Sequence, residues 1–423
     1  MARELQRTLT PEEKTILTVQ VSSKYGSGPI IVPYFCNGEV SRVPFSFCTT
    51  PIPSRAAATC KQLPFKGILR PSQVEVIKEV FSKLASNRAA LIATHVGFGK
   101  TIMALYVVSQ VKHKTVILVD LVELAAQWME AIQKWLPTAR ACYLKAGYDK
   151  VCWNEYDIVV MNIVNVSKLK EDTYQVGLLI VDETHSMMTA TLCPNLLYFT
   201  PQYLVGLSAT PYRLDESHRL IEFFYGDTVV RRLLHKTHVV FRVNTGIEIP
   251  LESKQGRVNW NAVLSAQASS AARNTLIADI VNSRPELCFL ILCKTVSQIM
   301  AIYQLLLARG VDSEAVFGNK RVVGEARVLI GTYKKLGKGF DRTKFNALLL
   351  AADIESYFVQ ALGRVFRDPN ARPVVFDLVD RNVLLETHWR ARRQVYLATG
   401  GSVHTVNGLN ALEKLFPTHA TSL

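Results

Sequence analysis

Three short runs of this chain carry side chains able to do chemistry. Residues 94–101 read THVGFGKT and end in the Gly-Lys-Thr of a phosphate-binding loop, although Thr94 stands where the usual pattern begins with Gly. Gly97 and Gly99, on either side of Phe98, let backbone N–H groups turn toward phosphates, and a helix start beyond them would add its dipole. Lys100 would then reach the outer phosphates, and the Thr101 hydroxyl would take a place on Mg²⁺.

The second run, Asp182-Glu183-Thr184-His185, ends the apolar stretch GLLIVD. Two adjacent acids at a buried strand end suit phosphate-ester chemistry. Asp182 would hold a metal through its shell, and Glu183 would orient and deprotonate a water. The plainer alternative is a solvated first helical turn, where acids are also at home. His185 has no His or Cys partner nearby in sequence, which argues against a role as a metal ligand. Downstream, LSATPYR offers Ser208 and Thr210, hydroxyls placed to hydrogen-bond across to the acids. The third run, QALGRVFR, sets Gln360, Arg364 and Arg367 on one helical face at i, i+4, i+7. Arginines so placed can stabilise charge developing on a γ-phosphate; basic residues on a helix are otherwise an ordinary solvated face.

The elements that must position these runs alternate. From residue 65 the apolar runs AALIAT (89–94), TVILV (115–119), YDIVV (156–160), GLLIVD (177–182) and YLVGLSAT (203–210) are separated by helix-length segments. Runs apolar on both faces with helical spacers predict a parallel sheet covered on both sides. Polar, Gly-containing residues over 240–270 break the rhythm. A second series then follows: CFLILC (288–293), EAVFG (314–318), ARVLIGT (326–332), ALLLAAD (347–353) and PVVFDLVD (373–380). Residues 16–48 carry β-rich runs broken by Gly, Pro and Asn, which predict about three strands. The expected divisions are a β-rich extension over 1–60, a first α/β domain over 61–245, a second over 246–400 and a tail over 401–423.

Composition bounds the alternatives. A chain of 423 residues exceeds one typical core, so two domains with appendages are expected. Lys and Arg number 49 against 35 acids, a net charge of +14 that suits a polyanionic partner, nucleic acid first. The eight cysteines form no C-x-x-C pair, which excludes zinc modules and secreted disulfide frameworks and fits a reducing intracellular setting. The charged start MARELQRTLTPEEK has no apolar centre for a signal peptide, and no apolar run reaches 18 residues. A soluble monomer with no membrane partner is expected.

Taken in order over residues 65–395, these runs resemble the motifs of superfamily-2 helicases and translocases. LRPSQ (69–73) resembles the adenine-reading motif, THVGFGKT motif I, VILVDLVELAAQW (116–128) motif Ia and DIVVMNI (157–163) motif Ib. DETH resembles motif II, LSATPYR motif III, LILCKT (290–295) motif IV, VLIGTY with GKGFD (328–341) motif V, and QALGRVFR motif VI. The resemblance implies the α/β fold of two tandem RecA-like P-loop domains, with a small N-terminal β-rich extension. It implies ATP with Mg²⁺, Gln73 on the base, Gly339 and Asp341 near the nucleotide, and Arg364 and Arg367 as arginine fingers. Arg213, Thr332, Lys334, Lys335 and Lys338 become candidate strand contacts. The spelling looks closest to a DNA-directed branch: XPB-like helicases, phage branch-processing helicases, and late-transcription helicases of poxviruses and related large DNA viruses. The implied activity is an ATP-dependent motor on DNA rather than RNA, with polymerase or transcription machinery as a partner. The implied setting is cytoplasm, nucleus or virion. The alternatives are the motor subunit of a restriction or nuclease complex and a non-catalytic nucleic-acid-binding module.

Overall fold

The computed structural model describes residues 2–23, 26–48, 63–145, 155–168, 176–209, 218–251, 253–254, 257–318, 325–337, 344–354, 358–366 and 371–416. Two compact units divide the chain, Met1–Arg232 and Leu233–Leu423. The strand His238–Glu248 pairs inside the second unit, so the expected boundary after residue 245 falls within a strand. The polar segment that suggested it begins inside the first strand of the second unit instead of separating the two.

In the first unit seven strands form one sheet in the order Val229–Arg232, Ala89–Thr94, Tyr203–Ser208, Leu178–Val181, Thr115–Val119, Ile158–Asn162, Ala141–Leu144. Every pairing is parallel. The inner strands are buried along their whole length, as their unbroken apolar runs require. One face packs the helices Pro71–Asn87, Lys100–Val111 and Val122–Trp135 through Val76, Leu105 and Trp128. The other face is closed by Met187, Leu196 and Phe224. Because all strands run one way, Thr94, Asn162, Asp182 and Ser208 arrive at the same edge of the sheet, where open α/β sheets bind their ligands.

The N-terminal extension is richer than three strands. Thr10 caps a short helix, Pro11–Leu17: its hydroxyl accepts from Glu13 N, and the Glu13 carboxylate accepts from Thr10 N. Ile16 and Leu17, which open the apolar run ILTVQV, therefore end a helix before the strand Val19–Ser23 begins. Ala2–Leu5, Val40–Pro44 and Phe35–Asn37 make a three-stranded antiparallel sheet, and Val19–Ser23 pairs with Gly26–Ile31. Ala2, Val19, Ile31 and Phe45 join the core of the first unit.

In the second unit the order is Ser313–Val316, Val328–Thr332, Phe289–Cys293, Ala347–Leu350, Val374–Arg381, His238–Glu248, Gly401–Asn407, again all parallel. Residues 401–423 are not simply a tail: Gly401–Asn407 is an edge strand of this sheet, and the helix Gly408–Leu415 packs Leu412 into its core. Under the strand ends lies a buried ionic network. Arg392 donates to both oxygens of Asp377 at 2.8 Å and to Asp353 at 2.7 Å, while Arg273 donates through Nε to Asp380. Among the described residues no helix is long and apolar enough to cross a membrane.

Candidate nucleotide site

Strand Ala89–Thr94 runs into the loop, and the helix Lys100–Val111 leaves it. Gly97 and Gly99 take positive φ, 82° and 97°, as a loop turning its N–H groups inward requires. A Cβ on Gly99 would collide with the Gln73 amide nitrogen. Gln73 is buried, with both ends of its amide engaged: Nε2 donates to the Phe98 carbonyl at 2.8 Å, and Oε1 accepts from Arg70 N at 2.9 Å. Arg70 donates to the Gly97 carbonyl at 3.4 Å and to that of Phe98. The structure thus places Gln73 and Arg70 as braces behind the loop. Lys100 Nζ donates to the Thr94 carbonyl at 3.1 Å, so the residue at the pattern's missing glycine holds the lysine through its backbone. Thr101 sits in the first turn of the helix beside it.

The acidic box follows Leu178–Val181. Asp182 is buried, and its two oxygens are held separately: Oδ1 accepts from Glu183 N at 2.9 Å and Oδ2 from the indole N–H of Trp128 at 2.8 Å. Burial, and then the neighbouring Glu183 charge, push the Asp182 carboxyl up to about 6, against the pull of Trp128 and Lys100. Glu183 adopts left-handed backbone angles, φ 46° and ψ 49°, unusual for a residue with a long side chain. That turn aims the carboxylate back toward the box, where Oε2 lies 3.4 Å from His185 Nδ1. The same His185 nitrogen is 3.0 Å from Ser208 Oγ, at the end of the adjacent strand. Ser186 Oγ donates to Asp120 Oδ2 at 2.8 Å, and Asn162 donates to the Asp120 carbonyl at 3.2 Å. The segments resembling motifs Ia, Ib, II and III are therefore joined by direct hydrogen bonds.

Among the described residues no group of three His, Cys, Asp or Glu side chains could cage a metal. A single buried carboxylate beside a phosphate loop is instead what Mg²⁺ uses when nucleotide oxygens and water complete its shell. The raised Asp182 carboxyl fits this demand, since a dication would relieve its burial and the repulsion from Glu183.

In the second unit Thr332 ends its strand, and its Oγ1 accepts from Lys335 N at 3.3 Å, starting the helix Tyr333–Gly337 that contains Lys334. Gln360 and Arg364 lie on the helix Phe358–Val365, where Arg364 is buried. Thr210, Arg213, Lys338, Gly339, Asp341 and Arg367 fall outside the described residues, as do the side chains of Lys334 and Gln360. Trp128, Arg70, Asp120 and Ser186 were not singled out from sequence. Their signal was there only as neighbours inside the runs LRPSQ, VILVDLVELAAQW and DETHS.

Two RecA-like sheets, one bearing a braced phosphate loop and an acidic box, define a tandem P-loop NTPase of the superfamily-2 class. The family described as "Type III restriction enzyme, res subunit" matches residues 66–213. The chain is 35% identical over 398 residues to "Putative helicase 161L" of Invertebrate iridescent virus 6, covering 86% of this chain and 89% of that protein. It is 33% identical over 344 residues to "Putative helicase 055L" of Frog virus 3 (isolate Goorha), covering 79% of each. The solved structure of S. cerevisiae Dbp5, bound to RNA and ADP BeF3, matches the fold with a TM-score of 0.57 at 12% identity, over 80% of this chain and 94% of that one. The chain belongs to the family of these viral helicases, superfamily-2 enzymes that couple ATP hydrolysis to work on nucleic acid.

Proposed function

We propose that this protein is a DNA-directed motor that hydrolyses Mg²⁺-bound ATP. The single observation that carries the reading is the continuous hydrogen-bonded edge from Asp120 through Ser186 to the acidic box, and from His185 to Ser208. An edge of this kind lets a change at the phosphates reach strand ends that could hold a nucleic-acid backbone. Lys100 and the glycine loop would bind the phosphates, and Thr101 and Asp182 would hold the metal, which would supply charge neutralisation. Glu183 orients the attacking water and takes its proton. By the resemblance of their runs to motifs VI and V, Gln360, Arg364 and Arg367 would stabilise charge on the transferred phosphoryl group, and Gly339 and Asp341 would contribute at the nucleotide. Gln73 acts indirectly, bracing the phosphate loop through its bond to the Phe98 carbonyl.

Thr332, Lys334, Lys335 and Arg213 would grip the sugar-phosphate backbone, which makes binding tolerant of sequence and sensitive to salt. Preference for DNA is supported by the spellings LRPSQ, DETH and LSATPYR, and the +14 charge supports a nucleic-acid partner of either kind. We place its work inside the cell, with polymerase or transcription machinery as partner.

ATPase assays with and without single-stranded DNA and RNA test the motor, and 3′- and 5′-tailed duplexes test unwinding and its polarity. A rate unmoved by any polynucleotide would overturn the reading. The match to a restriction-enzyme subunit family favours one second reading, the motor half of a nuclease complex. A nuclease subunit co-purifying with the chain would select it.

A further inference from the structure

We propose that Trp128 is a positioning residue for the metal-binding carboxylate: its buried indole N–H fixes the Asp182 side chain in the orientation that accepts Mg²⁺. The proposal rests on the reading of Asp182 as the metal carboxylate. Trp128 lies two turns into the helix Val122–Trp135 and is 1% exposed, packed in the core with Ile117, Val119 and Ile180. A buried indole needs an acceptor, and any backbone carbonyl would satisfy it. Here it donates to Asp182 Oδ2 at 2.8 Å, while Oδ1 accepts from the backbone N–H of Glu183 at 2.9 Å. The two donors approach different oxygens, so the carboxylate plane is set, and each oxygen keeps a lone pair for a metal ion or its water. Without the indole, one oxygen alone would be tethered, and the group could turn about χ2.

The same helix is tied to the box at its head. Asp120, two residues before Val122, accepts from Ser186 Oγ at 2.8 Å. The segment resembling motif Ia therefore holds the acidic box at two points, one of them the metal ligand itself. Outer partners of metal ligands commonly set affinity by about 10- to 100-fold.

The test compares Trp128→Phe, which keeps an aromatic ring and loses the donor, with Asp182→Asn. Binding of a fluorescent ADP analogue is measured without metal and across a Mg²⁺ titration, together with melting temperature and Mg²⁺-dependent ATPase. Trp128→Phe is expected to bind nucleotide normally without metal, yet to require roughly tenfold more Mg²⁺ for the metal-dependent gain in affinity and for turnover. A merely structural tryptophan would lower the melting temperature and leave the Mg²⁺ midpoint in place; that result overturns the proposal. If Asp182→Asn keeps the metal-dependent gain, the reading of Asp182 itself fails, whatever Trp128 does. Should Trp128→Phe not fold, Trp128→Met gives the same midpoint. In the unaltered protein, tryptophan emission of the ADP complex should also change on adding Mg²⁺, and unchanged emission counts against the proposal.

Discussion

His185 and Ser208 meet at 3.0 Å, ring nitrogen to hydroxyl, and both are buried. One hydrogen bond thus ties the acidic box to the end of the neighbouring strand. If this bond carries the state of the nucleotide toward the nucleic acid, Ser208→Ala should uncouple the two. Basal ATPase is expected to stay near the parent rate while strand displacement falls about tenfold, the scale of one buried hydrogen bond. Parallel loss of both activities would place Ser208 in the chemistry.

Glu183 takes left-handed backbone angles, and its carboxylate lies 3.4 Å from the His185 ring. Glu183→Gln keeps the shape and removes the base. Nucleotide affinity should be unchanged, and single-turnover hydrolysis should slow by about 100- to 10,000-fold.

The Asp182 carboxyl, pushed up to about 6 chiefly by burial, gives a sign to the pH dependence. Below that value the nucleotide-free protein carries Asp182 neutral, and a neutral carboxyl is a poor ligand for Mg²⁺. ATPase at low Mg²⁺ should therefore fall as pH drops through about 6. Because proton and metal compete for one group, raising Mg²⁺ should move the midpoint to lower pH. A midpoint indifferent to Mg²⁺ would break the link.

Gly99 has φ 97° and the Gln73 amide directly behind it. Gly99→Ala meets both a backbone penalty and a clash, together about 1–3 kcal/mol of strain in the loop. Calorimetric titration should show ATP binding weakened or lost while the two sheets stay folded by circular dichroism.

Arg392 neutralises Asp377 and Asp353 in the core of the second unit. Against the cost of burial, Arg392 and His388 hold the Asp353 carboxyl below its usual range. Removing the guanidinium takes the shared cation from two buried carboxylates, leaving His388 on Asp353 and the Tyr396 hydroxyl on Asp377, so Arg392→Leu should cost about 3–5 kcal/mol of stability. Urea unfolding of the variant gives the figure directly. The Asp353 contribution should also vanish in the parent protein as pH falls through its lowered value, because a depressed carboxyl stabilises only above it.

Much of this architecture was legible because buried parallel strands must be apolar on both faces. The runs at 89–94, 115–119 and 178–181 therefore announced themselves, with the phosphate loop and the acids at their ends. Three features escaped for physical reasons. The helix Pro11–Leu17 was hidden because its last two residues open the β-rich run ILTVQV, and the Thr10–Glu13 cap holds them in the helix. The edge strand Gly401–Asn407 has a mixed pattern of exposure with little apolar signal, and only its ladder to His238–Glu248 defines it. Trp128 reads as core in any helical pattern, since spacing says that a side chain is buried and not which atom it faces. Gln73 illustrates the same limit: its place in LRPSQ suggested the base, and the fold turns its amide onto Phe98 and Arg70.

The N-terminal strands bear on how this protein can be handled. Ala2 N donates to the Phe199 carbonyl at 2.7 Å, Ser46 bonds the backbone of Phe223 and Phe224, and Phe47 meets Phe223 edge to face. Trimming the chain to its two motor folds would therefore strip the lid from an oily surface. The shortened protein would be sticky, drawn to chaperones and to its own copies, and a low yield from it would say nothing about the catalytic machinery.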